Sequence, residues 1–422
     1  MIKMMKRRTA YSVQMLKDIA NVWMRQCRNW KVLSIRATIS KFISRIYYPY
    51  QSIYAVKLGA SSVQLGILNS FGSIAGVVFS APIGWLQDRY SLRKIFLAGL
   101  TLNCLALFLF ALATNWYMLI PAIIILYLTF LPVSGAPSIG SCVTICDVTL
   151  KPEDRSTAKG ICDGLFSLPG IAAPIVAALI ISHYGGINAE SIRILFWIAV
   201  IVEIMLLIFT LTQMTEVYRP KTEDESFSFV RGYKNLFKGG QHLKKWCLFT
   251  FCNTFISSML SPFLMVYCYN VKFADEIAIG VMSAANILSQ SIFSPLLGHI
   301  ADKISRKKVY FLAMPLYWIS LMMLLIAPER NFLLLALSWF LQGFMRIASY
   351  TVLIPLMVEL VPIDKIGRWR GIQGMINSIA AIPAPTIGGI IWEILGPDYI
   401  ILVPLLLSIT VEAPLILMIP ES

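Results

Sequence analysis

Charge is the scarcest ingredient of this chain. Of its 422 residues only 14% are Asp, Glu, Lys or Arg, against about a quarter in soluble domains. Hydrophobic residues make up 57%, and the mean hydropathy is +0.72. So thin a polar complement places the chain in a membrane. Histidine is nearly missing: His183, His242 and His299 are scattered. The eight cysteines contain no pair at zinc-finger spacing. Cys142 and Cys146, four apart on one helix face, fit packing better than ligation. Nothing requires a disulfide. No GxxxxGK[ST] loop is present, which argues against ATP as the energy source. No nucleophile with a base and no metal set stands out, so neither an enzyme nor a cofactor is expected.

Acid is scarcer than base, 22 residues against 36, for a net charge of +14. The basic residues lie in short segments between apolar runs of about 20 residues, the length that crosses a bilayer core. No basic face is left over for nucleic acid. Cutting the chain at those segments gives twelve spans. The first six are Trp30–Val56, Gln64–Trp85, Ile95–Ala113, Leu119–Thr144, Ala158–Ile181 and Ile192–Leu211. The second six are Trp246–Tyr269, Ile277–Ile300, Val309–Ala327, Phe332–Leu360, Ile372–Leu395 and Ile400–Ile419. One side of this arrangement, the N-terminus and the loops after the even spans, collects 28 of the 36 basic residues. The other side holds only Lys57, Arg193, Lys272 and Arg330. Lysine and arginine stay on the cytoplasmic side of short loops, so both termini are expected there, in the cell membrane.

Residues 1–29 form a basic segment that reads as an amphipathic surface helix or a disordered leader. A signal peptide fits less well, because no clear small-residue cleavage site precedes span 1. Residues 215–245 are the long polar stretch of the interior and divide the chain into six-helix halves, 30–214 and 246–422. The halves repeat each other. Gly84 to Lys94 reads GWLQDRYSLRK, and 214 positions on, Gly298 to Lys308 reads GHIADKISRKK. Asp147 recurs as Glu359, Glu203 as Glu412, and the Lys151 to Arg155 loop with Gly160 as Pro362 to Arg368 with Gly371. Parallel repeats of this kind surround a binding site near the bilayer midplane.

These features resemble the major facilitator superfamily of secondary transporters. The carrying motif is its loop between spans 2 and 3: glycine, three residues, aspartate, a basic residue, any residue, glycine, then basic residues. Gly84, Asp88, Arg89, Arg93 and Lys94 match it, with Ser91 for the second glycine. Gly298, Asp302, Lys303, Arg306 and Lys307 match it again, with Ser305 in that place. The resemblance implies an all-α fold of two pseudo-symmetric six-helix bundles, a small-molecule substrate and alternating access by a monomer. In that motif a basic cluster can meet carboxylates and latch the cytoplasmic face. The expected pairs are Arg93 with Asp147, and Arg306 or Lys307 with Glu359, when the transporter is open to the outside.

The sharpest chemistry lies in span 1, KFISRIYYPYQSIY. Lys41 and Arg45 share a helix face, and Arg45 sits near mid-depth, where an unpaired charge costs several kcal/mol. Tyr47, Tyr48 and Tyr50 surround a bend at Pro49. Arg346 lies near mid-depth in span 10. The resemblance puts spans 1, 4, 7 and 10 on the central path, so Arg45 and Arg346 would face one cavity from opposite walls and favour an anionic group, with Lys41 and Tyr48 beside them. The competing reading pairs each arginine within its own bundle, with Glu203 and Glu412 as partners. Asp163, Glu203 and Glu412 are the candidates for carrying a proton.

Two resemblances within the superfamily are weak. The antiporter signature belongs to span 5, but its better match here is Ala384 to Gly389 in span 11. The peptide-transporter pattern wants acids where Lys41 and Ser44 stand. The leading expectation is a transporter of small organic anions or acidic amphiphiles. An exporter of neutral or cationic amphiphiles is the main alternative, and a receptor that moves nothing is the alternative from another class.

Overall fold

The computed structural model describes residues 24–89, 91–129, 165–216, 243–303, 305–353 and 366–419. Every regular element among them is a helix. Hydrocarbon offers no hydrogen-bond partner, so apolar runs satisfy their backbones internally. Eight helices are long and apolar enough to cross a membrane, and they fill spans 2, 3, 6, 7, 8, 9, 11 and 12. Shorter apolar helices at Trp116–Thr129, Leu168–His183 and Phe332–Ile347 lie in spans 4, 5 and 10, each of which includes residues outside those described. Span 1 is the helix Arg28–Tyr47, a 3-10 turn Tyr48–Tyr50 and the helix Gln51–Lys57. All twelve predicted spans therefore carry helix.

Proline and serine shape these elements locally. Pro49 has no N–H to give, and the helix tightens around it into the 3-10 turn that the sequence places as a bend. Pro169 sits in a second 3-10 segment, Leu165–Ile171. Ser91 has φ −56° and ψ 123°, and Ser305 has φ 173° and ψ 136°. Both are extended conformations open to any residue, so serine replaces the motif's second glycine without strain. Outside the packed core, side chains such as Met205, Leu312, Ile326, Leu333 and Ile394 are exposed. An apolar surface of this extent suits lipid rather than water.

Among the described residues, the two halves meet closely at the end remote from the termini, here called the distal face. In span 2, Gly66 lies against the Pro385 backbone, and Gly389 of span 11 lies against Ser62 and Val63. The Ser70 hydroxyl lies 2.5 Å from the Ile382 carbonyl and 2.9 Å from the Thr386 hydroxyl. Glu393 accepts the Val63 N–H at 3.1 Å. Spans 5 and 8 meet where Gly280 packs on Pro174 and Ala178. Spans 1 and 8 meet where Tyr50 donates to the Glu276 carbonyl at 3.1 Å. The small residues of Ala384 to Gly389 thus let backbones approach, the packing role such residues have in membranes. A Cβ on Gly389 would stand 2.5 Å from the Ser62 carbonyl oxygen and 2.7 Å from the Val63 Cα, both backbone atoms. Gly389→Leu is expected to disfavour this closure, lengthening distances between distal-face spin labels on spans 2 and 11.

Candidate functional site

Span 1 supplies the polar face of the centre. Arg45 is half-buried one turn before the 3-10 turn, and its guanidinium lies against Gly170 of span 5, in space that any side chain there would fill. Lys41, one helical turn earlier, is also half-buried. Tyr48 is 65% exposed although it sits at the middle of the span. It lies within electrostatic reach of Tyr127 of span 4, whose ring packs on Gly72 of span 2. From the other half, Arg346 of span 10 is exposed and stands close enough to Arg45 for the two charges to act on each other. Helix gives way to a π turn, Ala348–Leu353, directly after it. Such turns are frequent at functional sites.

Glu203 does not serve Arg45. Its Oε2 lies 3.4 Å from Nη2 of Arg36, and its Oε1 accepts from the Ser40 hydroxyl. Arg36 and Glu203 are each 4% exposed. The Arg36 guanidinium also sits 5.2 Å from the Phe96 ring centre. The sequence shows Arg36 inside span 1, but only the packing of spans 1, 3 and 6 reveals its partner.

Glu412 occupies the matching place in the second half, with different company. Its Oε1 accepts from Asn253 Nδ2 at 2.6 Å and from the Tyr310 hydroxyl at 2.8 Å, and its Oε2 accepts from the Ser408 hydroxyl at 2.8 Å. Tyr310 stands 214 residues after Phe96, in the same register as the repeated loops. Two further bonds fix the direction of this network. Trp318 Nε1 donates to Ser408 at 3.0 Å, and Asn253 donates to the Tyr310 oxygen at 3.1 Å. Both hydroxyls therefore point their protons at Glu412, and all three donors are neutral. The residue is 2% exposed and ends a π turn, Ser408–Glu412. Its titratable neighbours include Cys252 of span 7 and Tyr317 of span 9, and Tyr317 also lies within reach of Arg346.

At the face that carries the termini, the repeated loops make matching contacts inside their own halves. Arg93 Nη2 donates to the Leu211 carbonyl at 3.0 Å, and Lys307 Nζ to the carbonyls of Leu417 and Ile419 at 2.8 and 2.6 Å. Each cation thereby satisfies carbonyls at the C-terminal end of span 6 or span 12, where the helix is negative. Arg93 Nη1 also lies 3.3 Å from Glu216 Oε1, and Ser91 donates to Glu216 Oε2 at 2.6 Å. The Ser91 hydroxyl and then Arg93 hold the Glu216 carboxyl below its usual range. Glu216 is a partner that reading the motif alone misses, because it lies 123 residues away at the start of the linker.

Gly84, Asp88 and Arg89 close the helix Ser62–Arg89, and Gly298 and Asp302 lie near the end of Glu276–Lys303. Arg306 opens the helix Arg306–Ile326. Asp147, Asp163 and Glu359 lie outside the described residues, as do the side chains of Asp88, Arg89 and Asp302.

The family model of the Major Facilitator Superfamily matches residues 33–274 and again 246–422, so it covers nearly the whole chain in two matches. The chain belongs to the Major Facilitator Superfamily. A relative, an uncharacterised MFS-type transporter of Methanocaldococcus jannaschii, is 20% identical over 366 residues, 82% of this chain and 87% of the relative. Among solved structures, a variant of the nucleoside transporter NupG superposes with a TM-score of 0.72 at 16% identity, covering 92% of this chain and all of that one. A bacterial homologue of the human lysosomal transporter Spinster, in an inward-facing unoccupied conformation, gives 0.69 at 14% identity, covering 92% of this chain and 95% of that one. The superfamily fold of two six-helix bundles follows from these matches. At such identities the solved structures speak for the fold alone.

Proposed function

We propose that this membrane transporter carries small organic anions or acidic amphiphiles, and that Arg45 and Arg346 hold the acidic group. The observation behind this reading is that two guanidinium groups, one from each half, stand within electrostatic reach of each other at mid-span. Like charges so placed repel, and an anion between them removes the repulsion while taking donors from both halves. Lys41 adds a third cation on the same helix face, and Tyr48 offers an exposed ring and hydroxyl. With the positive face in the cytoplasm, the distal face is external and the conformation described is closed to the outside. The pairs Arg93 with Asp147, and Arg306 or Lys307 with Glu359, then belong to the opposite conformation, where Arg93 leaves Glu216.

Proton coupling at Glu412 completes the proposal. A proton on Glu203 would strand the buried Arg36, whereas a proton on Glu412 would strand no cation among the groups bonded to it. Tyr317, within reach of both Glu412 and Arg346, gives the proton and the anion a shared neighbour.

The test is a thermal-shift screen of the purified chain against organic carboxylates, phosphates and sulfates on one side and cationic amphiphiles on the other, with Arg45→Gln in parallel. Anions are expected to stabilise the native chain and to lose that effect in Arg45→Gln. Stabilisation by cations, indifferent to Arg45→Gln, would replace this reading with that of a drug exporter.

A further inference from the structure

The distal face carries four cations, and two of them are consumed by the fold. Lys272 Nζ donates to the carbonyls of Leu325 and Ala327, each at 2.8 Å. Arg193 donates to the Ala113 carbonyl at 3.0 Å. The remaining two, Lys57 from the first half and Arg330 from the second, are exposed, and both line one open cavity of about 450 Å³. The cavity straddles the seam between the halves. Ile187 and Lys57 form one wall, and the segment around Tyr269, Phe273 and Glu276 forms the other, with Arg330.

The backbone beneath this cavity is strained. Phe273 has φ +52° and Arg330 has φ +59°, and among the described residues these are the non-glycine positions in the left-handed region. Each such conformation is costly and persists where surrounding contacts impose it, most often at functional sites. The Arg330 N–H donates to the Lys272 carbonyl at 2.9 Å, which ties the two strained loops together. One result is an exposed Phe273 ring at the cavity wall. Tyr269 presents a second ring, with the Lys57 ammonium 4.8 Å from its centre.

The cavity's two acids, Asp275 and Glu276, equal its cations in number but sit together at the start of one helix. Asp275 Oδ1 accepts the Ala278 N–H at 2.7 Å and so caps the helix Glu276–Lys303. Glu276 follows in that helix's first turn, where the positive helix end offsets part of its charge.

We infer that this seam cavity is a second binding site, for a small carboxylate with an aromatic body: Lys57 and Arg330 take the acid group, and Tyr269 and Phe273 take the ring. The ligand touches both halves, so it stabilises the conformation closed at the distal face and slows transport from that side. The inference does not depend on what the central arginines hold.

The experiment is calorimetric titration of the purified full chain in detergent with 3-phenylpropanoate, and with phenethylamine as the probe of opposite charge. The central-site variant Arg45→Gln should retain a binding event for the carboxylate. Adding Lys57→Gln and Arg330→Gln to it should weaken that event by about tenfold or more. Both positions are exposed, and either single change carries the test should the combined variant not fold. No binding to Arg45→Gln, binding indifferent to Lys57 and Arg330, or equal binding of phenethylamine would each overturn the site.

Discussion

Arg36→Met is expected to destabilise the folded chain by about 3–5 kcal/mol, the cost of leaving a buried carboxylate without its cation. Glu203 is 4% exposed, and without Arg36 its hydrogen-bonded partner is Ser40 alone among the described residues. The Phe96 ring that faces Arg36 cannot replace a donor. The paired change Arg36→Met with Glu203→Met removes both charges and fills similar volume, so it should recover most of the loss. Thermal and denaturant unfolding of the purified protein reads both values. A double variant as unstable as the single one would mean that Arg36 has a role beyond charge balance.

Glu412→Gln should give the opposite signature: a folded transporter that no longer uses a proton gradient. Glutamine keeps the shape of the side chain, with an oxygen in the place of Oε1 to accept from Asn253 and Tyr310 and an amide N–H that the Ser408 hydroxyl can accept, and removal of the charge leaves no bonded cation unpaired. In proteoliposomes, with the anion identified by thermal shift, accumulation driven by an inward proton gradient is expected to fall to the level seen without a gradient. Exchange of labelled for unlabelled anion should continue, because it needs no net proton movement. Glu203→Gln should instead resemble Arg36→Met, with lost stability as its main effect. Gradient-driven accumulation that survives Glu412→Gln would remove this residue from coupling.

The contrast between these two glutamates explains what could be read in advance. Their equivalent places near the middle of spans 6 and 12 follow from the repeat. Their different company does not, because Arg36 reaches Glu203, and Asn253 and Tyr310 reach Glu412, from helices 100 or more residues distant in the chain. Chain spacing predicts neighbours on one helix, as with Lys41 and Arg45, since the turn length is fixed. It is silent on which face of one helix meets which face of another. The same limit applies to Arg93. Its motif identifies a basic residue at a helix start, and the fold supplies Glu216 and the Leu211 carbonyl as its contacts in this conformation.

Sequence alone determined the membrane, the twelve spans, the duplication and the superfamily, because bilayer thickness and backbone hydrogen bonding leave few ways to arrange long apolar runs. It also identified Arg45 and Arg346 as charges at a depth where charge is costly. Tertiary structure decided the rest. It brought those two arginines within reach of each other, gave Glu203 a cation and Glu412 none among its bonded partners, and drew Lys57 and Arg330 to one cavity. Each is a relation between segments far apart in the chain, set by side-chain packing rather than by local periodicity.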